Sequence, residues 1–206
     1  MSFGVVREFE KQVATFFGSP YAVAVDCCTH GIELCLRYNK VDEISVPKRT
    51  YLSVPMLADK LNIGLKWRDE DWENYYYLGD NNVIDAAVLW KKNSYVPGTF
   101  MCISFQFRKH LNLGRGGIIL TDNKEAARIL KMMSYDGRDN SEDIPWTSQD
   151  VNILGYHYYM TPEIAQKGLD KLSSAIKEIP RQWTVDDWPD LTKMTCFKKP
   201  KETKND

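Results

Sequence analysis

Tyr21-Ala22-Val23-Ala24-Val25-Asp26-Cys27-Cys28-Thr29-His30-Gly31-Ile32-Glu33-Leu34-Cys35-Leu36-Arg37 passes from a short apolar run, through a polar break, into apolar residues at helical spacing. The first five residues suit a buried strand, and Ile32, Leu34, Cys35 and Leu36 suit the face of a helix. The turn between them presents backbone N–H groups at a helix start. Outward from this unit the pattern repeats. Val6, Phe9, Val13, Phe16 and Phe17 predict a helix over 4–17 with Gly18 as its cap. Strands are expected at 44–47, 63–67, 83–87, 100–105 and 117–121. Helices are expected at 52–61 despite Pro55, at 124–135 between an Asp122 or Asn123 cap and Gly137, and from Thr161-Pro162-Glu163 to about 179. Such alternation predicts an α/β fold around a mostly parallel sheet.

With 206 residues, 43% hydrophobic and 27% charged, the chain reads as one main domain over 1–180 and an extension over 181–206. Tryptophan- and proline-bearing turns follow Pro180, and a disordered tail is expected beyond them, its basic Lys198-Lys199-Pro200-Lys201 solvated. A net charge of −1 gives no field for nucleic acid or an anionic membrane. Charged residues near the N-terminus do not suit a signal peptide, and no window reaches the roughly 20 apolar residues of a membrane span, so a cytoplasmic protein is expected. The five cysteines include no CxxC pair and read as reduced thiols. The three scattered histidines predict no metal site.

Five motifs occur in order: Asp26-Cys27-Cys28-Thr29 before a helix, Pro47-Lys48-Arg49-Thr50-Tyr51 after a strand, Val83-Ile84-Asp85-Ala86-Ala87, Ser104-Phe105-Gln106-Phe107-Arg108-Lys109, and Gly114-Arg115-Gly116-Gly117. With the opening from Phe9 to Val25 and the segment Gly155-Tyr156-His157-Tyr158-Tyr159-Met160-Thr161, the chain resembles the DegT/DnrJ/EryC1/StrS family of sugar aminotransferases, which depend on pyridoxal 5'-phosphate and share fold type I. The resemblance implies a three-layer α/β/α fold like the large domain of that class. It also implies a homodimer and two small-molecule substrates, a nucleotide-linked keto sugar and an amino-acid donor, glutamate.

A pyridoxal cofactor needs a lysine to hold it, an acid to keep its ring nitrogen protonated, a phosphate cradle and a flat group against the ring. The resemblance assigns Lys109 as the Schiff-base lysine and Asp85 as the acid. Thr29, with the amides of Cys28 and His30, falls at the phosphate turn, and Ser104 adds a hydroxyl. Tyr51 falls at the stacking aromatic, and His157 at a residue that reaches the partner's phosphate. Several positions depart from the family pattern. Val88 stands where a Gln or His is usual, Cys28 where Gly is commoner, Arg115 for Glu, His157 for Asn and Tyr159 for Arg. Two strand-helix units expected between Trp67 and Val83, and a C-terminal small domain expected after about residue 180, have no counterpart here. A reduced, non-catalytic scaffold is therefore an alternative, as is a sugar dehydratase, which would use a histidine where Lys109 stands; His110 is adjacent.

Overall fold

The computed structural model describes residues 2–140 and 144–198. Along β1 (Tyr21–Val25), Val23 and Val25 enter one apolar cluster and Ala24 the opposite one, as the two-residue period of a strand requires. The same division runs through β6 (Phe100–Ser104) and β7 (Gly117–Thr121). Cys102 and Ile119 join the first cluster, and Met101, Ile103, Ile118 and Leu120 the second. The first face is covered by α2 (Cys28–Tyr38) and α4 (Lys124–Ser134), through Ile32, Leu36, Ala126 and Leu130. On the other face lie α1 (Gly4–Phe17) and α5 (Pro162–Ala175), through Phe9, Val13, Ala165 and Leu172. This is the three-layer α/β/α arrangement.

The sheet has the order β1-β7-β6-β5-β4, with β4 at Tyr76–Tyr77 and β5 at Val83–Asp85. Strands β1, β5 and β6 run one way, whereas β7 and β4 run against their neighbours. The sheet is thus mixed rather than mostly parallel. Parallel strands read as continuous apolar runs because both faces are covered, and β7, buried at all five residues although antiparallel, reads the same way. A separate parallel pair, β2 (Glu43–Pro47) with β3 (Gly64–Arg68), carries α3 (Ser53–Leu61). Pro55 is the third residue of α3, in the first turn, where its missing N–H has no intrahelical acceptor to lose.

Three differences from the sequence expectation bear on the site. β4 is too short to show periodicity, so the sequence reading contains no strand there. Helix α5 stops at Ala175; the residue before Pro180 disfavours helix, and Ile179 is left almost fully exposed. The extension folds back on the domain through three 3₁₀ turns, Val185–Asp187, Leu191–Lys193 and Thr195–Phe197. The tail expected beyond it, 199–206, lies outside the described residues. All five cysteines are unpaired. No helix among the described residues is long and apolar enough to cross a membrane.

Phe9 is fully buried between the helices and the sheet, edge-on to Phe105 at 5.4 Å. Phe9→Ala should cost about 3–5 kcal/mol in urea unfolding, against less than about 0.5 kcal/mol for Leu154→Ala at an 87% exposed position. Equal losses would show that the α1 face is not core.

Candidate active site

Because β1, β5 and β6 run in one direction, their C-terminal ends meet at one edge, where open α/β sheets bind ligands. A cavity of about 630 Å³ opens there. Cys28, Thr29, Tyr51, Asp85, Ser104 and Lys109 line it. The start of α2 is pressed against β7: a Cβ on Gly117 would lie 2.4 Å from the Cys28 amide nitrogen, so only glycine permits this approach.

Asp85 ends β5 and is 5% exposed. Its Oδ2 accepts a 2.6 Å hydrogen bond from the Tyr76 hydroxyl, and its Oδ1 a 2.9 Å bond from the Ala87 amide. The Tyr76 oxygen lies 2.5 Å from Thr50 Oγ1. Tyr76 reaches Asp85 because β4 pairs with β5 in the register Tyr76↔Asp85. Burial pushes the Asp85 carboxyl above its ordinary value, although Tyr76, the Ala87 amide and Lys109 each oppose the shift. The same desolvation pulls Lys109 below the usual lysine range, with Asp85 opposing. Two groups of opposite charge, each pushed towards neutrality and each supporting the other's charge, are a mark of a functional site.

Thr29 Oγ1 lies 2.6 Å from Ser53 Oγ, and Ser104 Oγ accepts from the Gln106 amide at 3.3 Å. The Cys28 and Thr29 amides at the start of α2 have no intrahelical acceptor and form the positive end of the helix dipole, whereas the His30 amide is capped by Cys27 Sγ. The cavity therefore joins an anion-binding turn, two hydroxyls, a buried acid and a half-sheltered amine, a set that could hold a flat phosphorylated cofactor. Cys28 stays a neutral thiol, since burial raises it well above its ordinary value.

The family model for the DegT/DnrJ/EryC1/StrS aminotransferases matches residues 3–88 and 92–184. The chain belongs to that family. Spore coat polysaccharide biosynthesis protein SpsC of Bacillus subtilis (strain 168) is 24% identical over 202 residues, covering 76% of this chain and 51% of SpsC. The chain thus spans about half the length of that curated relative. Among solved structures, AtS13 from Actinomadura melliaura aligns with a TM-score of 0.72 at 20% identity, over 86% of this chain and 61% of AtS13. DesI, crystallised in the presence of its TDP-sugar product, aligns at 0.68 and 19%, over 84% of this chain and 54% of DesI. These likenesses show the fold.

Two histidines named from the family pattern sit outside the cavity. His157 is exposed and pairs with Asp136 at 3.1 Å. His30 stacks on Tyr158 at 3.7 Å, its Nδ1 2.7 Å from Asp26 Oδ1, and its amide is engaged by Cys27 Sγ at 3.5 Å. Arg115, in place of the family's usual Glu, donates to Asp26 Oδ2 at 2.7 Å. Asp26, Cys27 and His30 converge within 4.8 Å, a spacing compatible with a metal, but the carboxylate already bridges imidazole and guanidinium. The network braces the turn beneath the cavity. Of the groups that complete the site, Tyr76, Thr50, Trp183 and Trp188 have no signal in the sequence as site residues.

Burial opposes the charge on His30, yet the Asp26 bond lifts it from 6.5 to about 9. A raised folded value stabilises the fold fully below the unfolded value, and the contribution is lost as pH rises through the folded one. Stability should therefore fall by about 1–2 kcal/mol between pH 6.5 and 9, discounted for partial exposure. In His30→Gln this slope should disappear from denaturation curves; an unchanged slope would remove the ion pair from the account.

Proposed function

We propose that the chain is a pyridoxal-phosphate-dependent aminotransferase that acts, as a homodimer in the cytoplasm, on a nucleotide-linked keto sugar with glutamate as amino donor. The observation that carries this reading is the meeting of Lys109 and the buried Asp85 in one cavity with Thr29 and Ser104. The residues fit the cofactor. The amides of α2 and the hydroxyls of Thr29 and Ser104 would hold the phosphate, Asp85 would face the ring nitrogen, and Tyr51 would lie against the ring. When bound, pyridoxal phosphate supplies an electrophilic carbon and a protonated ring that accepts electron density. Lys109 would tether it and, once free, move a proton at the donor's Cα.

The names of SpsC and DesI support a sugar substrate and a role in polysaccharide biosynthesis. His157, which does not line the cavity of its own chain, is proposed to serve the phosphate of a second copy. The dehydratase alternative loses its support here: His110 turns away, with Nε2 2.8 Å from the Ala175 carbonyl and its ring beside Trp90.

Borohydride treatment of protein incubated with pyridoxal phosphate should fix the label on the Lys109 peptide, and glutamate should bleach the visible absorbance beforehand. Label elsewhere, or no absorbance, would contradict the cofactor assignment; a labelled protein inert to every amino donor would favour a scaffold. Mixed Lys109→Ala and His157→Asp chains should recover activity that neither has alone, and hybrids without recovery would exclude a shared site.

A further inference from the structure

Lys109 Nζ makes no hydrogen bond or ion pair among the described residues; its neighbours are two indole faces, Trp183 at 4.6 Å and Trp188 at 5.4 Å from their centroids. The two rings stack on each other at 5.6 Å and 16°. Both line the cavity. Trp188 is also stacked on Trp72 at 6.3 Å and meets Tyr51 edge-on at 6.0 Å. Trp183 lies just inside the family-matched residues, which end at 184, and Trp188 lies beyond them.

The segment that carries the rings is tied down along its length. Arg49 Nη1 donates to the Trp188 carbonyl at 2.9 Å, the Leu191 amide donates to the Lys48 carbonyl at 2.9 Å, and the Leu191 side chain is 1% exposed. Arg181 pairs with Asp187, whose Oδ2 also accepts from the Thr184 amide at 2.9 Å. The anchor is thus the Lys48–Tyr51 loop, which also presents Tyr51 to the cavity. By contrast, the Trp188 Nε1–H is buried without a hydrogen-bond partner. Its ring orientation therefore follows from the stacking faces and not from a bond to the indole N–H.

We propose that Trp183 and Trp188 are positioning residues for Lys109, a cation–π seat in which its ammonium rests whenever the side chain is not joined to the cofactor. The need for such a seat rests on the aminotransferase reading, in which the lysine is set free in every cycle. A freed ammonium in this cavity would otherwise settle on Asp85, a buried carboxylate lining the same cavity, and take it from the ring nitrogen. Ring faces attract a cation without offering an acceptor atom, so the lysine is held close while Asp85 stays available. Arg181 lies 4.1 Å from the Trp183 centroid, so a second cation bears on that ring, and its pairing with Asp187 offsets the repulsion.

The test uses the protein without cofactor, so its outcome is separate from that of cofactor attachment. Acetic anhydride labelling, mapped by peptide mass across a pH series, reports the reactivity of Lys109 relative to the exposed Lys11. Trp183→Leu/Trp188→Leu should raise Lys109 labelling about tenfold over wild type, and the Phe/Phe variant should fall between, because phenyl keeps a weaker face. Leu191→Asp, which undocks the segment with both indoles intact, should raise it similarly and covers the case in which the Leu variants do not fold. Equal labelling in wild type, the folded Leu or Phe variants and Leu191→Asp would overturn the seat, as would Phe and Leu variants that release Lys109 equally.

Discussion

Moving a carboxylate out of water costs several kcal/mol unless other groups replace the water, and Asp85 is almost wholly buried. Its partners account for much of the fold around the cavity. The Ala87 amide comes from the turn that ends β5, and the Tyr76 hydroxyl comes from a two-residue strand whose register sets that side chain opposite Asp85. Thr50 fixes the Tyr76 hydroxyl and belongs to the loop that carries Tyr51. With two donors, Asp85 is satisfied but not neutralised, and under the proposed function the cofactor's ring nitrogen would be its cationic partner.

Around that centre the cavity is built both from regular elements and from the short segments between and after them. The α2 start and Ser104 lie on elements that the alternation of strands and helices predicts, and Lys109 lies in the turn that follows β6. Tyr76 is supplied by the two-residue strand β4, and the Trp183–Trp188 wall by the segment after α5, with Trp183 inside the family-matched residues and Trp188 beyond them. Tyr76 hydrogen-bonds Asp85, and the tryptophan pair flanks Lys109.

This division also explains what the sequence shows and what it hides. The helices, six of the seven strands among the described residues and the α/β class follow from local periodicity, and the order of five short motifs brings Lys109, Asp85, Thr29, Ser104 and Tyr51 together. Strand direction is not local: β7 is buried on both faces and has the apolar pattern of a parallel strand. The Tyr75-Tyr76-Tyr77 run reads equally as core or as interface, because only pairing with β5 singles out Tyr76. His30 reads as an amide donor, whereas its side chain is what matters, through Asp26 and an Arg115 distant in sequence. The tryptophans past Pro180 carry no periodic signal, and their meaning depends on a contact with a lysine more than 70 residues away.

The central claim, that a buried carboxylate holds the cofactor's ring nitrogen protonated, is open to direct measurement. The ¹⁵N chemical shift of ring-labelled pyridoxal phosphate bound to the protein should be that of a protonated pyridinium in the wild type and should move to that of a free pyridine nitrogen in Asp85→Asn. A wild-type shift typical of an unprotonated ring, or a pyridinium shift that survives the substitution, would show that Asp85 does not play this part.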